Sequence, residues 1–220
     1  MAEQNGRIQS LFIDGPAGRL EALLNAGDSK ASYAALVCHP HPLYGGTMHN
    51  KVVYHAAKAL GGFGFPVLRF NFRGAGLSEG KHDGRTEVDD VRAALEWLKN
   101  KYDLPIVFAG FSFGAAKGLR ASCPDPYVKL LISLGTPVAA EGRVYQYRFL
   151  ADCAKPKLFV SGDRDQYGPL IELEHVFQTA AEPKKFVVVP NADHFFEGQL
   201  PVMREAIEGW VSEQLGTTVG

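Results

Sequence analysis

The chain is 220 residues long, 46% hydrophobic and 21% charged, with 23 lysines and arginines against 24 aspartates and glutamates. That length and apolar content suffice for a full core without staples or metals, which excludes a disordered chain and a minimal disulfide scaffold. Charge so close to neutral lacks the footprint of a general nucleic-acid binder or of a protein that adheres to anionic membranes, so small or uncharged partners are expected.

Residues 1–10 are polar and lack the apolar core of a secretory signal, and no apolar run approaches the roughly 18 residues that span a membrane. Cys38, Cys123 and Cys153 are widely spaced without C-x-x-C pairing, which suggests neither a disulfide framework nor a zinc cluster. A soluble protein of the cytoplasm is the expectation.

Residues 8–13 and 19–24 are short apolar runs separated by Asp14-Gly15-Pro16-Ala17-Gly18, which reads as a hairpin and implies an antiparallel edge. After a polar turn at 26–32, continuous apolar runs follow at 33–38, 66–70, 106–109, 129–134, 157–160 and 185–189. Such runs suit strands buried on both faces, as in a parallel sheet. Between them Val52, Val53, Ala56, Ala57 and Leu60 form one helical stripe. Val88, Val91, Ala94, Leu95 and Leu98 form another, opened by Thr86 as a cap with acidic residues in the first turn. Segments 115–121, 169–180 and 201–215 supply three more helices. This alternation predicts an α/β fold with a mostly parallel sheet of eight strands, two of them antiparallel at the start. The 24 glycines and 13 prolines are dispersed, as tight turns require, and no repeat or linker breaks the pattern. Residues 1–220 are expected to form one domain.

Gly110-Phe111-Ser112-Phe113-Gly114 lies between the run ending at Ala109 and the helical stretch from Ala115. In a nucleophile elbow the chain turns sharply from strand into helix, and the residues two before and two after the serine come too close for bulky side chains. Gly110 and Gly114 meet that need. The turn would lift the Ser112 hydroxyl above the sheet at a helix N-terminus, with the backbone N–H of Phe113 facing a developing oxyanion. The spacing Gly110, Gly114, Gly118 also admits a loose dinucleotide-binding turn, although the G-x-G-x-x-G spacing is absent and no Asp or Glu ends the next strand. A purely structural turn is the plainer alternative.

The partners of such a serine follow in the order acid, then histidine. Ser161-Gly162-Asp163-Arg164-Asp165 puts two carboxylates at one strand's exit, and Asn191-Ala192-Asp193-His194 puts a histidine at the next. Three catalytic residue types thus lie beyond the C-terminal ends of parallel strands, where open α/β sheets place their sites. A histidine near the C-terminus is usually a surface residue and Asp after Gly a turn former; order and position together argue against both readings.

On these residues the chain resembles the α/β-hydrolase superfamily over nearly its whole length. Asn71-Phe72-Arg73-Gly74-Ala75-Gly76-Leu77-Ser78-Glu79-Gly80 is similar to the family's loop after the fourth strand, and Gly162-x-x-Asp165 with Pro169 four further on to its acid turn. The resemblance makes Asp165 rather than Asp163 the acid, and His194, before Phe195-Phe196, the base. Asp193 is a poor rival because neighbouring side chains on extended backbone point opposite ways. His39-Pro40-His41-Pro42 followed by Gly45-Gly46-Thr47-Met48 resembles a subgroup of small lidless bacterial serine hydrolases related to dienelactone hydrolases. The resemblance implies an eight-stranded, mostly parallel sheet flanked by helices on both faces, without a separate cap domain, cofactor or metal.

The family's second oxyanion donor is a backbone N–H just after the third strand. Pro40 and Pro42 have none, which leaves His41, its backbone pre-aimed by the flanking prolines. Metal ligation by His39 and His41, with His49 and His55 nearby, is the competing idea, but no carboxylate or thiolate completes a recognised spacing. Cys38 reads as packing on a buried strand.

The expected function is acyl transfer. A small or medium carboxylic ester would be cleaved through an acyl-enzyme on Ser112, with His194 as base, Asp165 orienting its imidazole, and the N–H groups of Phe113 and His41 binding the oxyanion. A thioesterase, amidase, peptidase or cofactor-free perhydrolase using the same residues, and a non-catalytic binding protein, stay open, since one fold hosts many chemistries. Residues 135–156 are too few for a lid domain, so an open site is expected. Leu43, Tyr44, Phe111, Tyr145, Tyr147 and Phe149 could line an apolar pocket. Arg73, Arg143 and Arg148 could recognise a carboxylate, although surface arginine is the default. The partner is then a small acyl compound, with neither nucleic acid nor membrane involved.

Overall fold

The computed structural model describes residues 8–140 and 142–216. Strands β1 (Ile8–Gly15) and β2 (Gly18–Asn25) form the opening hairpin, with Gly15 paired to Gly18. The turn is therefore only Pro16-Ala17, and Asp14, Gly15 and Gly18 belong to the strands rather than to the turn. There follow β3 (Ala34–Cys38), α1 (Lys51–Gly61), β4 (Val67–Phe70), α2 (Glu87–Tyr102), β5 (Ile106–Phe111), α3 (Phe113–Ser122) and β6 (Val128–Leu134). A small hairpin, β7 (Ala139–Ala140) and β8 (Arg143–Val144), comes next, then β9 (Lys157–Gly162), α4 (Leu170–Thr179), β10 (Lys184–Val189) and α5 (Leu200–Leu215).

The main sheet has eight strands in the order β1-β2-β4-β3-β5-β6-β9-β10. β2 is antiparallel to both β1 and β4, and every other pairing is parallel. β2 alone thus runs against the rest, and the two opening strands are antiparallel to each other as expected. Alternating side chains serve two layers. Along β5, Ile106 and Phe108 pack with Val91, Leu95 and Leu119 of α2 and α3. Val107, Ala109 and Phe111 pack with Val53, Leu60 and Ile207 of α1 and α5. Helices on both faces explain why the strands read as continuous apolar runs. Among the described residues no helix is long and apolar enough to cross a membrane.

Two expectations about α2 are corrected. Thr86 stands at the N-cap position, but its side chain makes no capping bond and instead donates to Asp83 Oδ2 at 2.6 Å. Asp83 Oδ1 receives the N–H groups of Arg85 and Thr86 at 2.7 and 2.8 Å and so shapes the turn that leads into the helix. Arg73 is not a surface arginine either. It is 7% exposed, and its Nη2 lies 2.6 Å from Asp90 Oδ1 while its Nε bonds both carboxylate oxygens at 3.0 Å. Its carboxylate partner is internal, and the pair locks the loop after β4 onto α2.

Gly118 faces β5 from within α3, where an added Cβ would stand 1.9 Å from Phe108 Cζ. Ala in place of an interior helical Gly ordinarily stabilises by about 1 kcal/mol. Here the ring is fully buried and overpacking costs about 1–3 kcal/mol, so Gly118→Ala should lower the urea midpoint at unchanged m-value. A raised midpoint would mean that α3 and β5 pack more loosely than these distances imply.

Candidate active site

β3 lies between β4 and β5, so the chain leaves it toward one side of the sheet and later returns on the other. Loops that diverge at such a switch point leave a crevice beyond the C-terminal strand ends. The segments after β3, β5, β9 and β10 meet there.

Ser112 joins β5 to α3 with φ 55° and ψ −120°. Such a conformation in a non-glycine residue costs on the order of 1–3 kcal/mol and persists only where its surroundings over-determine it. Here the Ser112 N–H donates to Leu134 O at 2.9 Å, and its carbonyl receives Ala116 N–H at 3.1 Å. A Cβ on Gly110 would stand 2.6 Å from Gly114 O, and one on Gly114 would stand 2.4 Å from His39 O. The first glycine is demanded by the turn, the second by the segment leaving β3.

Ser112 Oγ lies 2.9 Å from His194 Nε2, and His194 Nδ1 lies 2.9 and 2.8 Å from the two oxygens of Asp165. A carboxylate only accepts, so Nδ1 carries the ring proton and Nε2 turns its lone pair to the serine hydroxyl. Asp165 is 4% exposed, and its Oδ1 also receives the N–H groups of Tyr167 and Gly168 at 2.8 and 3.1 Å. The imidazole is boxed by Phe111, Tyr167 and Phe195, with ring centroids 5.0, 4.7 and 5.3 Å away. Asp163 is exposed. Asp193 Oδ1 receives the N–H groups of Phe195 and Glu197, both at 3.0 Å, and so shapes the turn that carries His194.

Phe113 opens α3, so its N–H has no acceptor within the helix. The ring of His41 packs 4.9 Å from that of Phe113, which brings both expected oxyanion residues to one place. The His41 carbonyl receives the N–H groups of Tyr44 and Gly46, and its ring Nε2 meets Arg143 Nη1 at 2.9 Å. His39 is fully buried; its Nε2 receives Phe72 N–H at 2.9 Å and its Nδ1 donates to Pro40 O at 2.6 Å. Both nitrogens are thereby committed to backbone, which makes His39 a staple between the segments after β3 and β4. Among the described residues no group of three or more His, Cys, Asp or Glu side chains is placed to hold a metal ion. Loop 71–80 is structural too: Asn71 receives Met48 N–H at 2.8 Å and donates to Glu21 at 2.7 Å.

The pocket over Ser112 and His194 is small, about 80 Å³, with Tyr44, Tyr145, Tyr167 and Phe195 around it. Of the expected lining residues Tyr44 and Tyr145 are there. Phe111 lies beneath His194, Leu43 points to solvent, and Tyr147 is buried with its hydroxyl donating to Pro137 O at 2.7 Å. Phe149 packs against the core under the Arg120 guanidinium. Arg148 is exposed. Sequence reasoning missed Asn50, Tyr167 and Phe195 as lining residues. Tyr167 had a signal: an Asp165 side chain that bonds the amide two residues on carries that residue's ring toward the histidine.

Sheet order, elbow and strand-exit residues are those of an α/β hydrolase. Residues 34–205 match the family model for the alpha/beta hydrolase domain, and the chain belongs to that family. It is 35% identical over 212 residues to an uncharacterized protein of Rickettsia prowazekii, covering 93% of this chain and 89% of that one. An alpha-beta serine hydrolase homologue from Coxiella burnetii is 38% identical with a TM-score of 0.84, covering 95% of this chain and 98% of that one. A serine hydrolase without lid from Xanthomonas campestris is 33% identical with a TM-score of 0.84, covering 97% of both chains. These similarities place the chain in a small lidless subgroup of the family.

Burial pushes His39 down from 6.5 to about 3. Between those values the unfolded chain holds a proton there that the folded protein does not, so stability falls as pH falls through that window. One such group contributes a slope of up to about 1.4 kcal/mol per pH unit. His39→Gln keeps an acceptor for Phe72 and should flatten the dependence of urea unfolding between pH 4.5 and 6.5 by that amount. An unchanged slope would show that His39 protonates in the folded state.

Proposed function

We propose that the protein is a serine carboxylesterase for small acyl compounds. The observation that carries this reading is the hydrogen-bonded chain from Ser112 Oγ through His194 to Asp165, at 2.9 and 2.8 Å. Ser112 attacks the ester carbonyl while its proton passes to His194 Nε2. Asp165 holds the ring in that tautomer and offsets the charge of the imidazolium. The developing oxyanion meets the N–H groups of Phe113 and His41, one such donor being typically worth about 3–4 kcal/mol. His194 then returns the proton to the departing alcohol, leaving an acyl group on Ser112. Water repeats the sequence and frees the acid.

The aromatic rim of the pocket supplies apolar surface for an acyl group. Among the described residues between β6 and β9 the chain contributes the two-residue strands of one hairpin and a single 3-10 turn at Arg148–Asp152. An uncovered site of this kind favours soluble esters over bulk lipid. The same reading takes residues 1–220 as one domain working without a cofactor.

Short p-nitrophenyl esters should be turned over by the wild type, and Ser112→Ala should lower kcat by roughly 10³-fold or more. Asp165→Asn should lower kcat by up to about 10⁴-fold with little change in fold, because the amide favours the wrong tautomer. A fluorophosphonate probe that labels Ser112→Ala as strongly as wild type would sink the assignment.

A further inference from the structure

Arg143, on β8, reaches the ring of the residue proposed as second oxyanion donor. Its Nη1 stands 2.9 Å from His41 Nε2. A guanidinium only donates, so that nitrogen presents its lone pair. On the other side of the ring, Leu43 N–H points at Nδ1 from 3.3 Å. A neutral imidazole has one lone-pair nitrogen and cannot satisfy both donors; the shorter, charged contact prevails. His41 therefore carries its proton on Nδ1 because Arg143 is there.

The contact is built from several directions. The His41 ring is walled by Tyr44, His82 and Phe113 at 4.9, 4.6 and 4.9 Å. Arg143 is held in a slot against Gly84, where an added Cβ would stand 2.6 Å from Nη1. Gly84 is itself fixed, its carbonyl receiving Lys117 Nζ at 2.7 Å and its N–H donating to the buried Glu87 carboxylate at 2.9 Å. The hairpin that carries Arg143 also brings Ala140 and Tyr145 to the pocket wall.

We propose that Arg143 is a positioning residue for the hydrolysis described above. By pinning the His41 imidazole it holds in place the backbone N–H that meets the oxyanion. The inference rests on the esterase reading. With Pro40 and Pro42 on either side, the His41 backbone has little freedom except a swing of its own peptide, and a ring anchored from outside the pocket opposes that swing. A substrate seated against Tyr145 presses on the hairpin that supplies the anchor, so filling the pocket and aiming the donor share one structural part.

The test compares wild type, Arg143→Met, Arg143→Lys, Gly84→Ala and Ser112→Ala on p-nitrophenyl acetate, with folding checked by circular dichroism. Arg143→Met should lower kcat about tenfold or more with KM within twofold, and Arg143→Lys, which keeps a charged donor, should recover part of the loss. Gly84→Ala should act in the same direction as Arg143→Met but more weakly, because its Cβ displaces a guanidinium that can shift aside and also strains a backbone at φ 71°. The ¹⁵N shifts of His41 report the contact itself, Nε2 unprotonated in wild type and Nδ1 unprotonated in Arg143→Met, and the split between kcat and KM separates positioning from support of the hairpin. A raised KM with unchanged kcat would mean that Arg143 only supports the hairpin, and an unchanged kcat and tautomer would overturn the proposal outright. Either outcome bears on Arg143 only when Ser112→Ala is inactive. If wild type and Ser112→Ala turn over the ester equally, the esterase reading fails and the positioning role falls with it, while the tautomer shift alone reports the Arg143 contact.

Discussion

The exits of β3 and β5 are pressed together until backbone meets backbone, and the geometry of the site depends on that contact. Gly114 leaves only enough room for His39 O and Cys38 C, the nearest of which would be 2.4 Å from a Cβ. The packing holds Ser112 at φ 55°, a conformation that local preference opposes. It also sets the segment that carries His41 beside the first amide of α3. An elbow free of the β3 exit could relax into an ordinary helix start and lose the alignment of its hydroxyl with His194. The strain at one residue is thus maintained by a close packing shared among three strands, since β6 contributes the Leu134 carbonyl.

Around this contact the polar groups are satisfied mainly by fixed backbone. His39 joins Phe72 to Pro40, Asn71 joins Met48 to Glu21, and Asp165 gathers two amides before it meets His194. Buried polar groups that are fully paired rigidify their surroundings, whereas partly paired ones cost free energy. The two buried aspartates near the crevice differ in partner. Asp90 faces a guanidinium and acts as a bolt between loop and helix. Asp165 faces an imidazole whose far nitrogen is left for Ser112. Partner chemistry, more than burial, separates the structural carboxylate from the one in the site.

The sheet and the strand-exit residues were legible because each depends on short-range pattern. Continuous apolar runs mark strands covered on both faces, and Ser112, Asp165 and His194 each sit within a few residues of such a run. What was illegible depends on long-range fit. Asp14, Gly15 and Gly18 are turn-forming types, yet strand pairing absorbs them. Thr86 has the chemistry of a cap, but its hydroxyl is taken by Asp83, a partner that composition cannot foresee. Arg73 finds its partner 17 residues away, and two-residue strands such as β7 and β8 are too short to show a period. Tyr145 and Tyr147 look equivalent in sequence; one walls the pocket and the other is buried on Pro137.

The strands Ala139–Ala140 and Arg143–Val144 take on weight beyond their length. Here Ala140 and Tyr145 contribute to the pocket wall, and Arg143 touches the His41 ring. A hairpin of two-residue strands has little stability of its own and is held by what it packs against. Its anchors are the His41 ring and the Gly84 slot on one side, and on the other the Tyr167 carbonyl, which receives the N–H of Val138 at 2.8 Å. Tyr167 in turn packs on His194. The hairpin thus touches the His41 side and the His194 side of the crevice at once, so a substitution that shifts it acts on the contacts of both rings.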